Sequence, residues 1–296
     1  MMSKLFHYTY TMKERPYWVY LNLSLRYVRW NTAVGIIYPA SYSSEDGALH
    51  FSMFASQRLR RGIDYFHFET ALEEERVRRY PHRISRLHGL FVFETQEEAK
   101  KAELAWGNSG NHFQPDCLTD AACEIGHNKS KHDSNWITYY FQKGSPEHPP
   151  NWKELYWEGM PYPHQDPVWE IIVDKPLVLW NTALRQSVSD RLHEELDCSF
   201  LLRLGMIASD LGYELGRTSI TLLKVNDCLQ VRHMVRFDEK LAIEVIEELK
   251  RTKPEYMCYL RPKDKDTLFI VPDLSSSDFC ITHRCSPIEC PRDLNL

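Results

Sequence analysis

The chain has 296 residues, of which 43% are hydrophobic and 26% charged, and its formal net charge at pH 7 is −5. This many apolar side chains can fill one large core or two ordinary ones, so disordered and fibrous architectures are excluded. The negative charge gives no overall attraction to nucleic acids or anionic membranes, so such a partner would require a local basic patch. No stretch approaches the ~20 apolar residues that cross a bilayer, and residues 1–10 lack the apolar core of a secretion signal. The sequence therefore predicts a soluble cytoplasmic protein with no membrane partner.

The eight cysteines are mostly scattered singly through apolar segments, which is typical of reduced thiols in cytosolic proteins. Near the C-terminus, Cys280, His283, Cys285 and Cys290 lie close together, and such clusters can bind zinc. Their spacing lacks the paired C-x2-C knuckles of common zinc modules. We therefore expect no metal, and a zinc site on these four residues stays the alternative.

Short apolar runs and one capping motif define the first predicted elements. Residues 5–11 and 34–38 are apolar runs that predict strands. Thr70 and Glu73 have the spacing of a capping box, which predicts a helix over 70–80 that ends before a proline.

The next segment repeats the pattern of strand and charged helix. Residues 87–93 predict a buried strand, and Thr95 with Glu98 predicts the start of a helix that ends at Gly107. Three further segments have the composition of strands: 136–141, 168–173 and 177–180. The order of elements favours an α+β fold over regularly alternating βαβ units.

A change in composition near residues 181–186 predicts a boundary between domains 1–183 and 184–296. The second segment predicts, in order, a helix over 188–211, a hairpin of 219–225 and 229–237, a helix over 239–251 and a hairpin of 256–260 and 267–271. These elements form a smaller α/β sandwich without a catalytic motif. Its expected role is partner binding or regulation, and we expect it to pack on the first domain.

Several common catalytic motifs are absent from the sequence. Neither G-x-G-x-x-G nor G-x-x-x-x-G-K-[ST] occurs, which disfavours Rossmann and P-loop enzymes. G-x-S-x-G and H-E-x-x-H are absent as well, which removes the simplest hydrolase and zinc-protease hypotheses.

Polar side chains at the ends of apolar strands are the remaining candidates for chemistry. His7 and Thr9 share one face of the first predicted strand, although a strand histidine can equally be a structural hydrogen-bonding group. Ser85 and Arg86 lead into the next strand and offer a hydroxyl and a guanidinium to a phosphate or ribose. Glu170 interrupts an apolar strand. Because an unpaired buried carboxylate is costly, this residue lies either on an exposed edge or in a functional cleft.

A short basic run provides a candidate surface for an acceptor molecule. Arg58, Arg60 and Arg61 lie close to Tyr65 and Phe66, a mixture that single-stranded nucleic acid can use through phosphate contacts and stacking. An exposed turn is the alternative. On the following helix we expect glutamates to pair with arginines on a solvated face, the residues being Glu73, Glu74, Glu75, Arg76, Arg78 and Arg79.

Taken in chain order, these motifs resemble a known enzyme family. The His-Tyr-Thr strand at 7–9, Ser-Arg-Leu at 85–87, Tyr-Trp-Glu-Gly at 156–159 and then Glu170 resemble the order in bacterial ADP-ribosyltransferases of the diphtheria-toxin-like, His-Tyr-Glu type. The likeness extends to toxin components of chaperone-linked toxin-antitoxin phage-defence systems. It covers about residues 4–180.

The resemblance implies a split β-sandwich with flanking helices and with NAD, as a substrate, in the cleft between its sheets. It further implies mono-ADP-ribosyl transfer to a macromolecule, with RNA slightly favoured over protein, and with release of nicotinamide. A cognate antitoxin protein is a further partner that the resemblance implies, and no metal is required.

The resemblance also implies roles for single residues. His7 and Thr9 would contact the adenosine ribose, Ser85 and Arg86 the phosphate or ribose region, and Glu170 would be the catalytic carboxylate. The family also stacks nicotinamide between two tyrosines, for which two residues are candidates with a shorter spacing than the usual pair: Tyr38 and Tyr42.

Two other hypotheses remain open at this point. The polar groups can be structural, in which case the protein is a non-enzymatic binding or scaffold protein. A metal-free ribonuclease that uses His7, His82 or His88 is the other alternative.

Overall fold

In the computed structural model, the described residues are 16–40, 49–107, 113–123, 126–142, 144, 146–196, 199–226, 228–260, 270–281 and 286–287. Several predictions lie outside them, namely the strand at 5–11 with His7 and Thr9, the candidate Tyr42, residues 267–269 of the strand at 267–271, and His283, Cys285 and Cys290 of the cysteine cluster. No helix within these ranges is long and apolar enough to cross a membrane.

The fold is α+β, as the sequence predicts. Its helices are α1 (Arg26–Val34), α2 (Met53–Leu59), α3 (Ile63–Arg79), α4 (Gln96–Trp106), α5 (Asn135–Phe141), α6 (Trp152–Glu158), α7 (Thr182–Glu195), α8 (Ser199–Asp210) and α9 (Glu239–Thr252). Its strands are β1 (Tyr17–Tyr20), β2 (Ile36–Ile37), β3 (Leu49–His50), β4 (Leu90–Val92), β5 (Leu118–Cys123), β6 (Lys129–Asp133), β7 (Trp169–Val173), β8 (Leu177–Leu179), β9 (Thr218–Val225), β10 (Cys228–Val235), β11 (Phe279–Ile281) and β12 (Ser286–Pro287).

The strands form three antiparallel sheets with the orders β1-β5-β8-β2, β4-β7-β6 and β12-β11-β10-β9-β3. The first two sheets meet at a single bridge between Trp18 and Phe93, whose backbone amides and carbonyls exchange bonds of 2.9 and 2.8 Å. This bridge joins the edge strand β1 to the end of β4. We call this junction between the two sheets the seam.

The two predicted domains share a sheet and a hydrophobic core. Strand β3 precedes the predicted boundary, yet it pairs with β9 beyond it, with Leu49 opposite Leu222. The Trp30 indole on α1 donates to the Gly216 carbonyl at 2.6 Å, and one apolar cluster extends from Tyr17 to Ile281. The division into domains 1–183 and 184–296 stays a prediction, and the two segments pack intimately.

Elements specified by neighbouring residues are found where the sequence predicts them. The Thr95 hydroxyl accepts a hydrogen bond from the Glu98 amide at 3.1 Å, and α4 ends at Gly107. Strands β9 and β10 form the predicted hairpin, and Asn226 in its turn has a φ of 54°, a value that asparagine tolerates. Strands β7 and β8 and helix α9 also confirm their predictions within two residues.

Two other predictions are wrong in the start or in the type of the element. The helix predicted over 70–80 is present and ends before Pro81, but its start differs. Thr70 caps nothing, since α3 begins seven residues earlier and the Thr70 hydroxyl donates back to the Phe66 carbonyl at 2.9 Å. The segment 136–141 is helical as α5, where spacings of three and four residues bring Trp136, Tyr139 and Tyr140 together. Its aromatic side chains pack beside α6.

Three further boundaries differ from the prediction. The helix over 188–211 is divided into α7 and α8, and a 3-10 helix occupies 254–258 in place of a strand. Strands β2 and β4 are shorter than predicted, because α1 extends through Val34 and a tight turn precedes Leu90.

Gly89 allows that tight turn to pack against the second sheet. Its amide donates to the Ser85 carbonyl at 2.8 Å. A Cβ atom at this position would lie 2.3 Å from the Ile172 Cγ2 and 2.8 Å from the Ile84 Cγ2. No side chain other than hydrogen therefore fits between the turn and β7.

We expect Gly89→Ala to lower the free energy of unfolding by about 1–3 kcal/mol, because the added methyl overpacks the turn against β7. Gly107→Ala is the matched control, since a Cβ there meets no described atom within 4 Å. Urea denaturation of the two variants measures the difference. Equal midpoints would contradict this account of the turn.

Candidate active site

A cleft with a volume of about 720 Å³ opens at the seam between the first two sheets. Tyr20 on β1, Phe91 on β4 and Glu170 on β7 line it, and the helices α2 to α5 contribute the remaining walls. This volume lies within the roughly 300–1,000 Å³ of small-molecule sites. The cleft therefore has the size and position of a ligand site between two sheets.

The lining of the cleft is mostly aromatic and basic. Four arginines contribute to it: Arg58, Arg60, Arg61 and Arg86. Aromatic rings come from every side and include Phe54, Trp106, Phe113 and Phe141. Among the described lining residues, the one acidic side chain is Glu170. Such a surface suits an anionic ligand with flat rings.

Arg86, on the cleft wall, connects the buried carboxylates of Glu69 and Glu170. Its Nε and Nη2 donate to the two oxygens of Glu69 at 3.0 and 3.2 Å. Its Nη1 donates to the Glu170 Oε1 at 2.7 Å and to the Tyr156 hydroxyl at 2.6 Å. The five N–H groups of a guanidinium lie in one rigid plane and cannot turn independently. These bonds therefore fix the guanidinium and its partners together.

Arg58 adds a second cation to this group. Its Nε donates to the Glu69 Oε1 at 2.7 Å, and its Nη2 donates to the Arg86 carbonyl at 2.6 Å. The guanidinium of Arg58 lies 4.4 Å from the centre of the Phe91 ring, and that of Arg86 lies 5.0 Å from it. Two arginines and two glutamates thus balance their charges in a largely buried cluster.

Mutual attraction favours the charged forms of Arg86 and Glu69. Burial opposes the charge of Arg86, but Glu69, Tyr156 and Glu170 together raise its pKa well above the usual value. Burial likewise opposes ionisation of Glu69, yet Arg58 and Arg86 lower the pKa of that carboxyl. Burial lowers the pKa of Arg58. The pairing compensates a desolvation cost that an isolated charge could not bear.

His132 packs against Tyr156, one of the partners of Arg86. It lies opposite Glu170 in the β6–β7 ladder, and its ring stacks on Tyr156 with 4.5 Å between the centres. Its Nδ1 lies 2.7 Å from the Tyr156 carbonyl, an acceptor, so Nδ1 carries the proton. Burial lowers the pKa of His132 to about 3, which keeps the imidazole neutral at pH 7.

The two oxygens of Glu170 have different surroundings. Oε1 accepts from Arg86 and, at 3.4 Å, from the Tyr156 hydroxyl. Oε2 accepts no hydrogen bond from the part of the chain that the structure describes, and the side chain is 9% exposed at the cleft wall. One oxygen is therefore anchored while the other is open to a bound molecule.

The structure brings some of the predicted site residues to the cleft and not others. Glu170, Arg86 and the basic run at 58–61 line it. The Ser85 hydroxyl instead donates to the Glu73 Oε2 at 2.9 Å and does not contribute to the wall. Tyr38 is also absent from the lining, and its ring lies 5.9 Å from the Arg217 guanidinium.

The arginines of the basic run differ in their attachments. Arg60 donates to the Ser277 carbonyl, and its guanidinium lies 4.8 Å from the centre of the Phe279 ring. Arg61 is exposed and lies 5.3 Å above the ring of Tyr65. On α3 the expected ion pairs are present for two of the three glutamates, with Arg76 paired to Glu73, and both Arg78 and Arg79 paired to Glu75. The exposed Glu74 has no ion pair among the described residues.

Sequence reasoning did not predict the role of Glu69, and it assigned no role to Trp106 or Phe113. Glu69 and Leu72 are three residues apart on one helix face, and both are buried. An acidic residue in that apolar face was a usable signal. Trp106 and Phe113 come together only because α4 packs against β1, which no local pattern reports.

No protein-family model matches the sequence, and a search of curated proteins gives no significant match. Among the described residues, no three His, Cys, Asp or Glu side chains come together as a metal-binding group. Of the predicted cysteine cluster, Cys280 alone falls within the ranges given above.

We expect Glu69→Gln to lower the free energy of unfolding by about 3–5 kcal/mol, because it leaves Arg58 and Arg86 buried without their shared anion. Glu74→Gln is the matched control, since Glu74 is exposed on the same helix. Thermal and urea unfolding measure both variants. The charge cluster would be unimportant for stability if the two variants unfolded alike.

The buried His132 gives the stability a dependence on pH. Below pH about 6.5 the His132 imidazole binds a proton in the unfolded chain. In the folded protein it stays neutral down to its pKa of about 3. The contribution of His132 is therefore complete above pH 6.5 and falls by about 1.4 kcal/mol per pH unit as the pH decreases toward 3.

When the pH is lowered from 7.5 to 5.5, we expect the free energy of unfolding to decrease by about 1.4 kcal/mol less in His132→Gln than in the natural protein. Urea unfolding at the two pH values measures the difference for each protein. Identical losses would show that His132 takes up a proton in the folded state.

Proposed function

We propose that the protein is an NAD-consuming mono-ADP-ribosyltransferase that acts on a macromolecule and releases nicotinamide. In this proposal the sheets β1-β5-β8-β2 and β4-β7-β6 form the split β-sandwich, and NAD lies in the cleft at their seam. The motif order of the sequence and the position of the cleft both support it. A cytoplasmic location and a cognate antitoxin partner belong to the same proposal.

The observation that carries the proposal is the environment of Glu170. Its carboxylate is the one acidic group in a described lining that is mostly aromatic and basic, and Arg86 anchors it through one oxygen. The second oxygen is open toward the cleft. A carboxylate oriented in this way before the ligand binds needs no reorganisation during a reaction.

NAD provides a ribose whose bond to nicotinamide breaks through a transition state with positive charge on the sugar, as in glycoside cleavage. The free oxygen of Glu170 would accept a hydrogen bond from a ribose hydroxyl and stabilise that charge. Nicotinamide leaves as a neutral molecule with the electron pair of the broken bond, so one carboxylate is sufficient and no general acid is required. A nucleophilic group of the acceptor would then bond to the same ribose carbon and release its proton to the solvent. Arg86 and Tyr156 hold Glu170 still while this happens.

The rest of the cleft fits NAD by its chemistry. Arginine is suited to a diphosphate because its planar fork matches two phosphate oxygens. Arg60 and Arg61 lie on the lining for this role or for phosphates of the acceptor. Trp106 and Phe113, whose ring centres are 5.2 Å apart, offer flat surfaces for the base or the nicotinamide.

The mouth of the cleft favours RNA as the acceptor. Tyr65 and Phe141 stack with 4.0 Å between their centres, and Arg61 lies over Tyr65. A guanidinium and two rings in sequence are the surface on which unpaired bases stack. The negative net charge of the whole chain favours a protein acceptor, so both acceptors belong in the experiment.

The test is incubation of the purified protein with NAD labelled in the adenylate part, in the presence of RNA or of protein extract. Chromatography measures released nicotinamide, and gel separation after nuclease or protease treatment shows which macromolecule carries label. The proposal predicts nicotinamide release and label in the RNA fraction. Label in the protein fraction alone would support the transferase activity and identify protein, not RNA, as the acceptor.

We expect Glu170→Gln to reduce nicotinamide release by about 10²–10³-fold, because glutamine keeps the shape and loses the charge. Binding of NAD, measured by calorimetry, should change far less. Glu74→Gln, on the exposed face of α3, should behave as the natural protein does. Thermal unfolding confirms that the variants are folded.

Two outcomes contradict the proposal. Release of nicotinamide by Glu170→Gln at the natural rate would remove Glu170 from the reaction. The absence of both NAD binding and nicotinamide release in the natural protein would favour a non-enzymatic binding protein. Digestion of RNA without NAD would instead favour the ribonuclease.

A further inference from the structure

A buried serine, histidine and aspartate form a hydrogen-bonded chain behind the cleft. The Ser56 Oγ on α2 lies 2.9 Å from the His233 Nε2 on β10. The His233 Nδ1 lies 3.1 Å from the Asp278 Oδ1, just before β11. These three residues come from distant parts of the chain, and their exposed fractions are 0%, 3% and 4%.

These three side chains have the same order of hydrogen-bonded atoms as the catalytic residues of serine hydrolases. Their burial excludes a catalytic role of that kind. None of the three side chains lines the cleft. A nucleophile must touch its substrate, and the Ser56 hydroxyl is enclosed between α2 and the third sheet. The three residues therefore do not act directly on a molecule bound in the cleft.

The orientation of each group in this chain is determined by its neighbours. Asp278 accepts from the His233 amide at 2.7 Å and from the Arg232 Nη1 at 3.0 Å. Because the Asp278 Oδ1 is a hydrogen-bond acceptor, the proton of His233 lies on Nδ1, which leaves Nε2 to accept from the Ser56 hydroxyl. The ring of Tyr27, 4.3 Å from that of His233, covers the imidazole.

A second, independent attachment connects the same parts of the molecule. The Arg60 amide donates to the Ser56 carbonyl at 3.1 Å, and the Arg60 guanidinium donates to the Ser277 carbonyl and lies over Phe279. The stretch 277–279 thus contacts the end of the segment 56–60 directly, through Arg60, and is connected to its start through His233. That segment contains Arg58 and is followed by Arg61.

We propose that Ser56, His233 and Asp278 are positioning residues that fix α2 against the C-terminal sheet and so place the guanidinium groups of Arg58 and Arg60 at the cleft. This assigns to the C-terminal segment a direct role in the geometry of the ligand site. The consequence for NAD rests on the proposed function, whereas the consequence for α2 does not.

Removing the Ser56 hydroxyl leaves the buried His233 Nε2 without a partner, and such a loss weakens the attachment of α2. Glu170 and Arg86 lie on other elements, and the bonds of the Arg86 guanidinium to Glu69 and Glu170 do not involve α2. We call the hydrogen-bonded series of Ser56, His233 and Asp278 the Ser56 relay. The Ser56 relay should therefore affect the binding of an anionic ligand through Arg58 and Arg60 more than the bond-breaking step at Glu170.

The experiment compares Ser56→Ala with the natural protein by hydrogen exchange and by kinetics. Ser189→Ala is the matched control, because Ser189 is equally buried on α7 and its hydroxyl contacts the Met206 sulfur, away from α2. Asp278→Asn is a second variant that keeps the shape of the side chain and removes its charge.

We expect amide exchange in residues 53–62 to be about tenfold faster in Ser56→Ala and unchanged in Ser189→Ala. We expect the KM for NAD to rise roughly tenfold in Ser56→Ala and Asp278→Asn, with kcat for nicotinamide release within about twofold of the natural value.

Natural exchange rates in residues 53–62 of both variants would overturn the proposal, as would a natural KM in a variant whose α2 exchanges faster. A loss of kcat equal to the rise in KM would also contradict it. If the natural protein releases no nicotinamide, the proposed function fails, and the exchange comparison alone decides whether the relay fixes α2.

Discussion

The pairing of Arg86 with Glu69 and Glu170 is the interaction on which the cleft depends. Its side chain is 4% exposed, and a charge buried to this extent is tolerated only while its partners remain in place. The pairing joins α3 to β7 through the turn that precedes β4. It also gives Glu170 one anchored oxygen and one free oxygen, with His132 and Tyr156 packed beneath. The bonds that allow these charges to be buried thus orient the proposed catalytic group.

Arg58 connects this cluster with the C-terminal part of the molecule. It bonds Glu69 on α3 and the Arg86 carbonyl, and it lies on α2, which the Ser56 relay fixes to the third sheet. The cleft is therefore held from two directions, by buried charges on one side and by a buried relay on the other. The third sheet carries no recognisable catalytic motif and contributes to the site because it holds α2 in place.

Sequence reasoning succeeded where neighbouring residues determine the outcome. The cap at Thr95 and the hairpin at Asn226 depend on contacts within four residues, and Glu170 was identified because a lone carboxylate in an apolar strand requires a purpose. Helix α5 was predicted as a strand because aromatic residues favour strands until tertiary packing decides otherwise. Glu69 and the Ser56–His233–Asp278 relay depend on partners 11 to 177 residues away, and local patterns do not report such partners.

The most direct measurement is a crystal structure of the protein with a carbocyclic NAD analogue, whose bond to nicotinamide cannot be cleaved in the same way. The account predicts the analogue at the seam of the two sheets, with a hydroxyl of the sugar-like ring within about 3.2 Å of the free Glu170 oxygen while Arg86 retains the other. An analogue bound elsewhere, or a Glu170 with both oxygens engaged by the protein, would contradict it.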